Sequence, residues 1–64
     1  MKDIQMVIYE MIQLGKRLDN QDKETNIKET FNAIKEEYPD INEKEIKAYI
    51  TKKVEEIYEE DEEA

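Results

Sequence analysis

The stretch EEYPDINEKEI, residues 36–46, is the sharpest break in an otherwise helical pattern, and its reading decides the fold. Pro39, the chain's one proline, disfavours helical geometry at Tyr38 and so ends a helix there. A new helix then has a complete start signal. Asn42 stands as N-cap with Glu45 at N3, the spacing of a capping box, while Ile41 and Ile46 occupy the N′ and N4 positions of a hydrophobic staple. Asp40 with Glu43 offers a second cap two residues earlier. A stop, a corner and a start this close together predict two helices packed against each other across a tight turn.

On the C-terminal side the pattern predicts a helix over roughly 43–59, with Tyr49, Ile46, Ile57, Ile50, Val54 and Tyr58 on an arc of about 180°. On the N-terminal side a helix over roughly 23–38 carries only a narrow ridge, Ile27, Phe31, Ile34 and Tyr38, within about 60°. Before it, LDNQDKET (18–25) is a connector in which Asp19, Asn20, Asp22 and Thr25, and Asn26 just beyond, are all competent N-caps. The first helix, over roughly 2–18, gathers Met1, Ile4, Val7, Ile8, Met11, Ile12, Leu14 and Leu18 on an arc of about 160°. Within that arc Ile4, Val7, Met11, Leu14 and Leu18 follow the 3,4,3,4 spacing of a coiled-coil seam, flanked by Ile8 and Ile12. Gly15 lies in its middle. Because Leu18 continues the stripe, Gly15 reads as a notch for a closely packed neighbour rather than a terminating C′ glycine.

The predicted fold is therefore all-α, a small three-helix bundle. Residues 1–59 form its single domain and 60–64 an acidic tail. The acids of that tail lie at the negative end of the helix dipole, so fraying and disorder are expected beyond about Glu59. The first and third helices have broad apolar faces and the second only a ridge. That imbalance predicts apolar surface left for another chain to cover, self or heterologous, with a homo-oligomer expected. The residues expected at that contact are Ile8, Ile12, Tyr49, Val54 and Tyr58, at the edges of the two broad arcs, and Met6 and Tyr9, which project opposite the first stripe.

Composition narrows the chemistry. A chain of 64 residues is near the lower size limit for a domain, and it has neither cysteine nor histidine, so disulfides and a zinc site cannot staple it. No nucleophile–base pair, glycine-rich phosphate loop or calcium loop of correct spacing occurs, and DNQDKE (19–24) lacks the glycine and closing glutamate a calcium loop requires. No enzyme, cofactor or metal is expected. No export signal or membrane-spanning run is apparent, which favours a cytoplasmic protein. The Lys-, Glu-, Ile- and Asn-rich composition is typical of low-GC bacteria, their phages and mobile elements.

The net charge of −8 is concentrated in EEIYEEDEEA (55–64), which contributes −7, so the rest of the chain is nearly neutral. Three functional readings result. The favoured one is a small regulatory or inhibitory protein acting through protein–protein contact. A second is a helix-turn-helix DNA-binding regulator using residues 27–58, with Asn42, Lys44 and Lys47 at the start of the recognition helix. It is weakened by the absence of a basic face, since Arg17 is the only arginine. A third is an acidic nucleic-acid mimic that occupies a DNA- or RNA-binding protein.

Overall fold

The order of elements in a computed structural model is α1 (Ile4–Arg17), α2 (Lys23–Glu37) and α3 (Glu43–Glu62). It describes residues 3–62, with side chains described through Glu59. The described residues include no strand. Each boundary has a local cause. Asp3 caps α1, its side chain accepting from the Gln5 amide at 3.4 Å. Of the five candidate caps around the first connector, Asp22 is the one used, accepting from the Thr25 amide at 2.8 Å. The bonds from Thr25 hold the Asp22 carboxyl below its ordinary pKa, because they favour the charged form.

The corner between α2 and α3 forms as its residues demand. Tyr38 leaves helical geometry (φ −129°, ψ 74°) ahead of Pro39, and the Ile41 amide donates to the Tyr38 carbonyl at 3.2 Å, closing a four-residue turn. Asn42 then caps α3 by accepting from the Glu45 amide at 3.2 Å. Only this half of the capping box is made. Glu43 reaches across the corner to Lys35 at 3.5 Å, an exposed pair of little energetic weight. Ile41 and Ile46 are half-buried and pack against the core, as a staple should.

The core is made of Ile8 and Ile12 from α1, Ile34 from α2, and Ile50, Val54 and Ile57 from α3. All six are β-branched, a class with modest helix propensity and stiff χ1 rotamers. Tertiary packing rather than intrinsic preference therefore holds these helices. The molecule measures 37 × 20 × 20 Å, a bundle two helix diameters across, with α3 running about 30 Å of its length. In backbone, α3 continues to Glu62, three residues past its expected end. No glycine or proline follows Pro39, and glutamate is a good helix former. Of the tail expected to be disordered, 60–62 are helical in backbone, while residues 63 and 64 and every side chain from position 60 on lie outside the described residues.

Candidate functional site

The first helix carries two apolar lines, and the bundle takes only one of them inward. Ile8, Ile12 and Gly15, the flank, are buried. Along the seam, Ile4, Val7 and Met11 are half-buried, Leu14 is 55% exposed and Leu18 is 75% exposed. Leu14 and Leu18 therefore belong to the part of the apolar arc that the bundle leaves in solvent. The placement of Ile8 and Ile12 at a partner-facing edge is corrected, since both are fully enclosed within the single chain.

What turns α1 this way is a polar cluster at its C-terminal end. Asn26 of α2 is completely buried beside Gly15. Its amide nitrogen donates to the Ile12 carbonyl and to the Tyr58 hydroxyl, each at 3.0 Å, and its amide oxygen accepts from the Thr30 hydroxyl at 3.0 Å. The Tyr58 hydroxyl donates onward to the Gln21 carbonyl at 2.6 Å, and the Gln21 amide closes the chain back on the Gly15 carbonyl at 3.1 Å. Asn20, at φ 52°, supplies the left-handed residue that this reversal requires, and asparagine tolerates it better than most side chains. Lys16 reaches α3 as well, donating to the Ile57 carbonyl at 3.1 Å and lying over the Tyr58 ring. Three helices and the first connector meet here, and no described buried side-chain polar atom is left without a partner.

Gly15 is the notch that admits this cluster. A Cβ at that position would lie 2.5 Å from the Gln21 Oε1 and 3.0 Å from the Asn26 Nδ2. The glutamine end can swing away, whereas the asparagine is pinned by bonds on both sides. Alanine would gain about 0.5–1 kcal/mol of helix propensity, but displacing a pinned amide costs about 1–3 kcal/mol. Gly15→Ala is expected to be net destabilising by about 1 kcal/mol, and to become stabilising when Asn26 is also alanine. Denaturant titration of the four proteins of this cycle measures the reversal; a stabilising Gly15→Ala in the otherwise native chain would refute it.

Turning the flank inward leaves the opposite side of α1 uncovered. Met6, Tyr9, Leu14 and Leu18, at 57%, 48%, 55% and 75% exposure, are the large apolar residues most open to solvent among those described, and all lie on α1 or at its C-cap. Two shallow grooves run either side of Tyr9, one toward Tyr49 and Lys53 of α3, the other along Gln13, Leu14, Arg17 and Leu18. Of the residues expected at a partner contact, Met6, Tyr9 and the half-buried Tyr49 border these grooves. Val54 is instead enclosed in the core, and Tyr58 has its polar end engaged internally. Leu14 and Leu18 were missed as surface residues, although the 3,4,3,4 seam was the available signal.

The residues of the DNA-binding reading are divided. The Asn42 side chain is engaged in capping, while Lys44 and Lys47 are exposed on α3 beside Ala48, Thr51, Lys52 and Glu55 in a shallow groove. Glu55 interrupts that short lysine strip. Glu55, Glu56 and Glu59, from the acidic reading, are exposed further along the same helix. Among the described residues no helix is long and apolar enough to cross a membrane. No protein-family model matches the chain, and no curated protein or solved structure is significantly similar to it.

Proposed function

We propose that this chain is a small non-enzymatic regulatory or inhibitory protein that acts by burying the outer face of α1 against another protein chain. The observation that supports this is the collection of its most exposed large apolar residues, Met6, Tyr9, Leu14 and Leu18, on one helix. Scattered exposed apolar residues are ordinary, but Tyr9, Leu14 and Leu18 border one shallow groove together with Gln13 and Arg17. Methionine and tyrosine are also among the residue types enriched at such contacts. The core does not need these side chains, as six enclosed Ile and Val residues already fill it.

Site-specific photo-crosslinking in the native host tests the assignment. A photoreactive residue at position 14 or 18 is expected to form adducts with protein, and one at the exposed position 52 of α3 is not. Protein adducts confined to position 52 would move the contact face from α1 to α3, and duplex-DNA binding that falls steeply with salt and is lost on exchange of Lys44 and Lys47 for glutamate would replace this reading with the helix-turn-helix one.

A further inference from the structure

We infer that the chain covering α1 is a second copy of this protein, docked antiparallel along the Val7–Met11–Leu14–Leu18 seam. The inference rests on the reading of α1 as an interaction face and adds the identity of the occupant. Two features of the seam are self-complementary.

The first is spacing. The intervals 7–11, 11–14 and 14–18 are four, three and four residues, a sequence that reads the same in both directions. A two-fold axis passing between residues 12 and 13 therefore sets Val7 against Leu18 of the second copy, and Met11 against its Leu14. These are the pairings that knobs-into-holes packing of antiparallel helices requires. All four residues are accessible, Val7 and Met11 in part and Leu14 and Leu18 largely. Leu18, the most exposed, gains most from being covered.

The second is charge. On one side the seam runs beside α2, where Met11 and Leu14 share a shallow groove with Asp19, Glu29 and Ala33; on the other side stand Glu10 and Arg17. Under the same two-fold axis each Glu10 comes within two residues of Arg17 of the other copy, about 3 Å along the helix axis. Two reciprocal Glu10–Arg17 ion pairs result, a pairing that parallel docking does not make. Glu10 already has a contact within its own chain, and a carboxylate has capacity for a further donor. Gln13 is turned away from the seam toward Tyr9, to whose hydroxyl its amide nitrogen donates at 3.0 Å. A seam of this length buries about 1,000–1,200 Å² in total, the lower end for specific interfaces, so a micromolar dissociation constant is expected.

Sedimentation of the full chain across a micromolar-to-millimolar series should show a reversible dimer. Leu18→Glu should leave it monomeric with helicity unchanged, because that side chain contributes little to the fold. Glu10→Arg and Arg17→Glu should each weaken the dimer about tenfold, and an equimolar mixture of the two should restore it. The absence of native cysteine permits an orientation test. Val7→Cys and Leu18→Cys chains should form disulfide-linked dimers when mixed, and Leu18→Cys alone should not, since the two copies of residue 18 lie about 16 Å apart. A chain that stays monomeric while position 18 crosslinks to a different protein would overturn the second-copy inference and leave the interaction face standing. A dimer indifferent to Leu18→Glu, or self-linkage of Leu18→Cys, would overturn the proposed arrangement itself.

Discussion

Truncating Ile12 to alanine is expected to cost about 3 kcal/mol, which is most of the stability that a core this small supplies. Ile12 is fully enclosed and belongs to the same core cluster as Ile34 of α2 and Ile50 and Val54 of α3. The substitution removes three carbons from a close-packed interior whose other members are stiff β-branched side chains, poorly able to collapse into the space. The loss should be independent of protein concentration, since a core position acts within one chain. A residue of the dimer seam should behave in the opposite way. Leu18→Ala is expected to leave the unfolding free energy of the monomer nearly unchanged while weakening association. Chemical denaturation at two well-separated protein concentrations distinguishes the cases. Near-native monomer stability for Ile12→Ala, with association lost, would return Ile12 to the partner face on which the sequence reading set it.

The second large effect is expected at Asn26. In Asn26→Asp the shape is kept while the amide that donates to the Ile12 carbonyl and the Tyr58 hydroxyl becomes an acceptor. At neutral pH the variant also places an ionised carboxylate in a fully enclosed site with no cation bonded to it, and a cost of about 3–4 kcal/mol is expected. Asn26→Ala should cost less, about 2–3 kcal/mol. It forfeits two or three hydrogen bonds and leaves a void against Gly15. The surviving groups can re-pair, however, since Tyr58 still donates to Gln21 and the Thr30 hydroxyl can turn to a backbone carbonyl one turn back. The aspartate variant carries a pH signature. Burial raises its folded-state pKa above the unfolded value, so the acid form is favoured in the fold. Stability relative to the native protein should therefore recover below the unfolded carboxylate range and fall as pH rises through the folded value. Unfolding of both proteins at neutral and acid pH measures this. An equal difference at the two pH values would show that the Asn26 site is open to water.

Much of the architecture could be read locally. Pro39 stopping α2, Asn42 capping α3, and Ile41 and Ile46 turning inward against the core all act within a few residues, and each appears where its spacing placed it. Gly15 was also legible as a notch, because a glycine inside an apolar stripe that continues to Leu18 has no local reason to be there. Its occupant was not legible. Asn26 had every attribute of an N-cap, and nothing in KETNIKET separates an asparagine that caps a helix from one buried four residues into it. That choice belongs to Asp22, which takes the cap and so shifts Asn26 inward toward α1.

The limit of local reading is clearest on α1. Periodicity locates an apolar arc, but an arc of about 160° is wider than a ridge as narrow as that of α2 can cover, so the pattern alone leaves its rotation undetermined. Helix number, order, the corner and the Asn42 cap are determined by the sequence, because they depend on residues close together along the chain. Which apolar line of α1 faces inward was decided only by the tertiary structure. The pinned Asn26 amide fits against Gly15 and nowhere else along α1, since this is the chain's only position without a Cβ. That contact draws Ile8 and Ile12 into the core and leaves Leu14 and Leu18 in solvent.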